Sequence, residues 1–148
     1  MAGTASLSKI LNVREQEKKN AEKDYRISLE SFEIIATKLY NVLKKKETAE
    51  GAYDSYLQAT TPIDVIKEQV AYIEVLNKQI LKLQSDVQRA RTVMETSQDK
   101  LAEAHIEVKK YEKIIEHRVM EREEGIRRAE KAMMDEISIQ QYLSYKNR

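Results

Sequence analysis

The sequence predicts an all-α protein in which two long helices form an antiparallel coiled-coil hairpin, the second helix being longer and ending in a C-terminal overhang. Three observations lead to this fold class: two apolar seams of equal length, a single proline between them, and a composition suited to long helices. Of 148 residues, 34% are charged, 6% are aromatic and only three are glycine, which leaves little for strands or a thick core. We expect a single domain over residues 1–148.

The first helix is predicted over about residues 6–57, where apolar side chains recur at alternating steps of three and four residues. This period of 3.5 is typical of a coiled-coil seam. Eleven of the fifteen seam positions are apolar, counting Ala and Tyr. The seam consists of Leu7, Leu11, Arg14, Lys18, Ala21, Tyr25, Ser28, Phe32, Ile35, Leu39, Val42, Lys46, Ala49, Tyr53 and Tyr56. Before it, we expect residues 1–5 to fray and Ser6 or Ser8 to cap the helix.

A short turn is predicted over residues 58–61, just before Pro62, the only proline of the chain. Thr61 would cap the second helix, Pro62 would occupy its first position, and Asp64 would complement the positive end of its dipole. Because two equal seams flank one short turn, they should fold back antiparallel, with paired residue numbers summing to about 122.

The second helix is predicted over about residues 62–145, and it carries a seam of the same period. Only Gln69 and Ser97 among its fifteen positions are not apolar. The seam consists of Ile66, Gln69, Ile73, Leu76, Ile80, Leu83, Val87, Ala90, Met94, Ser97, Leu101, Ala104, Val108, Tyr111 and Ile115. In both seams the first and last members lie 49 positions apart, so a second helix of about 125 Å, at 1.5 Å per residue, is longer than its partner.

Residues 116–148 form this overhang, and the heptad pattern breaks there because Arg118 and Arg122 take the next seam positions. The apolar line shifts to Val119, Ile126, Met133 and Ile137. An insertion of this kind locally unwinds a supercoil. Opposite charges four residues apart, such as Glu124 and Arg128, support a helix that has no partner within the chain.

Composition and motifs exclude several classes of function. The formal net charge is +1, so no overall field attracts nucleic acid or an anionic membrane. There is no cysteine, no glycine-rich phosphate loop, and no apolar run near the roughly 18 residues of a membrane span. His105 and His117 lie too far apart around a helix to share a metal. We expect no cofactor, no metal and no enzymatic activity, and a cytoplasmic location.

The same residues leave other functions open. An all-helical, chorismate-mutase-like dimer would bind a dianion with cations inside a bundle, for which Arg14 and Lys18 would serve. More often, cations in a seam set the register or keep their charge in water. A generic structural coiled-coil tether and a helical holdase chaperone of the prefoldin sort are further alternatives. Prefoldin-like chains place β-hairpins between their helices, and residues 58–62 leave no room for one.

A second apolar set lies off the seam, mostly near the turn. It comprises Tyr40, Leu57, Tyr72, Val75 and Leu81. Scattered apolar side chains are normal on a protein surface. Because a two-helix hairpin has no third layer to cover them, these residues also form a candidate docking surface.

Four segments resemble the flagellar type III export protein family FliJ. They are residues 7–25 (LSKILNVREQEKKNAEKDY), 38–47 (KLYNVLKKKE), 106–113 (IEVKKYEK) and 134–142 (MDEISIQQY). Coiled-coil sequences resemble one another through their heptads, so the agreement off the seam in the last two segments carries most weight. The resemblance extends over the whole chain.

This resemblance implies a soluble, stalk-like component of the bacterial flagellar type III export apparatus, similar to the gamma subunit of rotary ATPases. Its implied partners are the flagellar export ATPase, which it would bind and stimulate, the cytoplasmic domain of the export-gate membrane protein, and export chaperones. It would reach the cytoplasmic face of the inner membrane only through these partners.

The resemblance also implies where two of these partners bind. In family members, a stripe near the turn binds the export gate. Its residues here would be Tyr53, Tyr56, Tyr72 and Leu76. By similarity to the stalk, the overhang would engage the ATPase ring. Its predicted contact residues are Arg122, Arg127, Arg128, Met133 and Ile137.

Overall fold

The computed structural model describes residues 2–147, and over this range the chain forms two α-helices. Helix α1 spans Ala2–Gln58, with 57 residues, and helix α2 spans Ile63–Lys146, with 84 residues. The two helices pack against each other in antiparallel orientation, which confirms the predicted hairpin and its longer second helix. Met1 and Arg148 lie outside the described residues, as does the part of the fraying prediction that concerns Met1.

The start of α1 differs from the prediction. The helix begins at Ala2, so the predictions that residues 2–5 fray and that Ser6 or Ser8 caps the helix are wrong. Packing against α2 explains the early start, because a Cβ added at Gly3 would lie 3.0 Å from Nη1 of Arg118. Contact with another helix supplies the stability that a short N-terminal segment lacks on its own. The N-terminal end of α1 therefore reaches the level of Arg118, just past the predicted seam, where the side chain of Arg118 stays exposed.

The sequence predicts that Pro62 takes the first position of α2, but it takes the capping position just before it. Its carbonyl oxygen accepts hydrogen bonds from the amides of Val65 at 3.1 Å and Ile66 at 3.4 Å, so Pro62 occupies the capping position. Thr61 consequently precedes the cap rather than forming it, a shift of one residue that is ordinary at helix ends. Asp64 lies in the first turn, as predicted, where its charge complements the positive end of α2.

The two predicted seams form the buried surface of the hairpin. All thirty seam residues are buried or half-buried, which confirms both seams position by position. The most completely covered apolar members, each 6% exposed or less, are Ala49, Leu76, Ile80 and Val108. By contrast, every residue from 116 to 147 is exposed, so the overhang contributes no layer to this core.

The chain divides into two compact units, and in the unit of residues 19–103 two side chains report the register. Gln69 donates a hydrogen bond from Nε2 to the carbonyl oxygen of Ala49 at 2.9 Å, and the guanidinium of Arg91 lies 5.8 Å from the ring centre of Phe32. The residue numbers of these pairs sum to 118 and 123, in agreement with the predicted register. A polar side chain that must find its partner in a seam specifies one register against others.

The second unit combines residues 2–18 with residues 104–147. There, Nε of Arg14 lies 3.9 Å from a carboxylate oxygen of Glu107. The two residue numbers sum to 121, so the same register holds within this unit.

Candidate partner-binding surfaces

In the unit that contains the turn, Tyr72 lies at the edge of a shallow groove between the two helices. The groove has a volume of about 310 Å³ and is lined by Lys44, Lys45, Thr48, Ala49, Ala52, Gln69 and Tyr72. The two alanines leave the hollow because their side chains are too short to fill it. Tyr72 keeps 45% of its surface exposed. An exposed aromatic ring beside a small hollow and two ammonium groups suits a partner with apolar and acidic side chains.

The other residues predicted to bind the gate are less accessible than Tyr72. Tyr53 and Tyr56 are half-buried members of the seam. Leu76 is only 2% exposed and packs between the helices one turn after Tyr72. While the hairpin stays closed, Leu76 therefore supports this surface from beneath, and almost none of its own side chain is accessible to a partner.

The apolar residues off the seam lie on two opposite flanks of the helix pair. At 100° per residue, Tyr72 lies about 70° from the middle of the seam on one side, and Leu81 lies about 130° from it on the other. The groove beside Tyr72 contains Lys45 and Ala52, which belong to the same flank of α1. Leu57 falls on the flank of Leu81. The five residues therefore do not form a single surface.

Sequence reasoning missed further apolar residues on the flank of Leu81. They are the exposed side chains Leu43, Ile63 and Val70. Each occupies a position directly beside the seam, on the same edge as Leu57. Apolar residues at such edge positions widen a coiled-coil stripe, so this signal was present in the periodicity of the sequence.

The overhang carries an unpaired apolar stripe within the second unit. Val119, Ile126, Met133 and Ile137 are between 41% and 64% exposed. At 100° per residue, these four side chains fall within about 40° of one another around α2. A helix face of this kind is suited to pack on another helix, and within the described chain the stripe stays exposed.

The five residues predicted to contact the ATPase ring are not all on this stripe. Arg122, Met133 and Ile137 share it, whereas Arg127 lies about 100° and Arg128 about 160° away around the helix from Ile126. Arg128 forms an exposed ion pair with Glu124, with 3.9 Å between Nη2 and Oε2. Such a pair supports the helix weakly and leaves the arginine accessible.

Arg14, the seam cation considered for an enzyme site, is surrounded by acidic and aromatic groups. Its Nη1 lies 3.0 and 3.2 Å from the two carboxylate oxygens of Glu17, and its guanidinium lies 5.8 Å from the ring centre of Tyr111. The hydrogen bonds to Glu17, and then that to Tyr111, raise the pKa of Arg14 above its ordinary value. Glu107 is also near, so Arg14 is surrounded by carboxylates. A site for a dianion would need further cations there instead.

The remaining chemistry of the described chain is limited. Over residues 2–147, no group of three or more His, Cys, Asp or Glu side chains could hold a metal ion. His117 lies 2.9 Å from a carboxylate oxygen of Glu121 on the exposed face of the overhang. Within the same residues, neither helix contains a stretch that is long and apolar enough to cross a membrane.

Known proteins resemble this chain over nearly its whole length. The family model described as "Flagellar FliJ protein" matches residues 4–147. A curated relative from Bacillus subtilis (strain 168) with the same description is 32% identical over 143 residues, and the match covers 97% of each chain. Among solved structures, the chain is similar to a Chlamydia trachomatis protein described as a YscO homologue, with a TM-score of 0.47, 20% identity and 96% of each chain covered.

Proposed function

We propose a function from one premise: this chain belongs to the flagellar FliJ family, and it is accordingly a component of the flagellar protein export apparatus. Within that apparatus, we propose that it is an adaptor that binds and stimulates the export ATPase through its overhang and contacts the export gate at Tyr72. The observation that carries this proposal is that each of the two units exposes an apolar surface of its own. Two independent surfaces suit a protein that connects two partners.

The proposed gate contact rests on the groove beside Tyr72. An exposed tyrosine combines a large apolar area with a hydroxyl group, and such residues often dominate binding energy. Lys44 and Lys45 line the same groove, so the gate segment that enters it should be acidic around an apolar side chain. Leu76 packs beneath Tyr72, where it would hold the surface in place.

The proposed ATPase contact rests on the stripe of the overhang. A helix that leaves its partner and still carries four exposed apolar residues can insert into a groove of another protein. Arg122, on the stripe, and Arg127 and Arg128, off it, would add contacts to acidic groups of the ring. We expect no catalysis by this chain itself, and we propose that it acts in the cytoplasm, where it also escorts export chaperones and meets the membrane only through its partners.

A matched pair of variants tests the ATPase contact. Met133 lies on the stripe, whereas Met134 lies about 100° away around the helix, and the two are 64% and 63% exposed. Met133→Glu should abolish most stimulation of the export ATPase, because a charge enters the apolar contact, while Met134→Glu should retain it. Turnover of ATP by the purified ring is the measurement. Equal stimulation by both variants would show that the stripe does not engage the ring.

A second pair tests the gate contact. Tyr72→Ala should weaken binding to the cytoplasmic domain of the gate about tenfold, as expected for a central aromatic residue. Tyr40→Ala is the control, because Tyr40 is also an exposed tyrosine of the same unit but does not line the groove. Calorimetric titration measures both affinities, and circular dichroism verifies that helicity is kept. If Tyr72→Ala binds as tightly as the wild type, the gate does not use this groove.

A further inference from the structure

The stripe of the overhang contains two charged residues at matched positions. Arg122 and Glu130 lie four residues before and four residues after Ile126, so the three side chains form one row along the helix. At 100° per residue, the flanking charges lie about 40° to either side of Ile126. Val119 and Met133, seven residues before and after Ile126, lie within about 20° of it. The face is therefore symmetric about Ile126 in position and in polarity, but opposite in charge.

A second copy of this chain, turned end to end about Ile126, matches the face at every position. Val119 then meets Met133 of the second copy, Ile126 meets its own equivalent, and Arg122 meets Glu130. We propose that two copies of this protein associate through their overhangs, in an antiparallel contact with a two-fold axis at Ile126. The occupant of the exposed stripe in the free protein is thus another copy of the same stripe. Contacts of this symmetric kind are the commonest way in which identical chains pair.

Small residues beside the row allow the two helices to approach. The row of Gly125, Ala129 and Met133 runs parallel to that of Ile126, one step around the helix. No atom lies within 4 Å of a Cβ built at Gly125, so this side of the helix is open. Gly125 and Ala129 therefore leave room beside Ile126 for the helix of the other copy.

The spacing of the stripe limits how the copies can cross. Val119 and Met133 lie seven residues, about 10 Å, on either side of Ile126. Helices that pack in the manner of a coiled coil cross at about 20°, and this small angle keeps the outer pairs in contact together with the central one.

The contact is small and should be reversible. A single helix crossing buries less than the roughly 1,200 Å² at which stable protein interfaces begin. Self-association would cover the stripe while the protein is free and would yield to a partner with a larger complementary surface. Self-association is measured on the isolated chain and needs no other protein. A failure to self-associate would therefore leave the proposed contact with the ATPase standing, and a failure to stimulate the ATPase would leave the proposed self-association standing.

Disulfide trapping tests the axis, and the absence of cysteine from the chain makes the test direct. In full-length Ile126→Cys the two thiols face each other across the axis, so mild oxidation with oxidised glutathione should link most of the protein as dimers. The matched control is Met120→Cys, equally apolar and 54% exposed but about 120° away around the helix. It should remain mostly monomeric. Equal dimer formation by the two variants would overturn the proposal.

Charge reversal tests the pairing of Arg122 with Glu130. Full-length Arg122→Glu places like charges together in a homodimer, and Glu130→Arg does the same with the opposite sign. Each variant alone should self-associate about tenfold more weakly or worse, as measured by sedimentation equilibrium. Mixed together, the two variants present opposite charges at both pairs and should associate as the wild type does. Wild-type self-association of either single variant, or no recovery on mixing, would refute the two-fold contact.

Discussion

The two stretches of α2 on either side of residue 116 belong to one continuous helix, yet only the first has a face that is covered. In residues 63–115, all fifteen seam positions are covered by α1, whereas every residue of 116–147 is exposed. Both stretches are rich in charge, and in the second the pair Glu124–Arg128 supports the helix locally. The difference teaches that helix formation and burial are separate matters in this chain. Pairing with α1 uses up the apolar face of the first stretch and leaves that of the second for another molecule.

The two units differ in the polar group that interrupts their seams. In residues 19–103, neutral Gln69 reaches a carbonyl oxygen of the facing helix at 2.9 Å. In the other unit, Arg14 is held by Glu17 on its own helix and by Glu107 and Tyr111 on α2. Both side chains specify the register, because a slipped pairing would leave them without their partners. The first does so with one hydrogen bond, and the second with a cluster of charges that stays partly in water.

The largest change in the free energy of unfolding is expected when a covered leucine, rather than an exposed one, is shortened to alanine. Leu76→Ala should lower the free energy of unfolding by about 2–4 kcal/mol, because the 2% exposed side chain leaves a cavity between the helices. The control Leu81→Ala removes a leucine that is 68% exposed and should change stability by less than about 0.5 kcal/mol. Urea denaturation followed by circular dichroism measures both values. A similar loss in the two variants would mean that the seam does not stabilise the hairpin.

A smaller effect is expected at the two helical glycines that have open space around them, one in the paired part of α1 and one in the overhang. Gly51→Ala, in the paired part of α1, should raise the free energy of unfolding by about 0.5–1 kcal/mol, because Ala loses less backbone freedom. Gly125→Ala, in the overhang, should increase helicity without shifting the denaturation of the hairpin. The same denaturation curves decide the matter. If Gly125→Ala stabilised the hairpin as much as Gly51→Ala, the two stretches would unfold as one.

The smallest effect is expected for removal of the overhang. Deletion of residues 119–148 keeps Arg118, which α1 contacts, and removes only exposed residues among those described. The thermal midpoint of the remaining hairpin should therefore stay within about two degrees of that of the full chain, equivalent to less than about 0.5 kcal/mol. The scan is run on dilute protein, so that self-association does not contribute. A markedly earlier transition would show that the overhang belongs to the stable core.

The periodicity of the sequence was sufficient for the fold class and for the buried surface. A seam is a property of spacing alone, and a stripe of side chains with a period of 3.5 requires a helix of equal length to cover it. The only proline placed the turn between the two seams. Even the polar seam positions Ser28 and Gln69 are covered in the structure, because the face on which a residue lies does not depend on its own polarity.

What only the tertiary structure decided depends on contacts between residues far apart in the chain. The start of α1 at Ala2 follows from its packing near Arg118. The local sequence by itself indicates a frayed end. The groove beside Tyr72 depends on Ala49 and Ala52 of the opposite helix lying at the same level. Likewise, two of the groups around Arg14, Glu107 and Tyr111, come from positions more than ninety residues away. Periodicity assigns each residue to a face, but the neighbours on that face follow from the register and the crossing of two helices, which are set by packing along the whole seam.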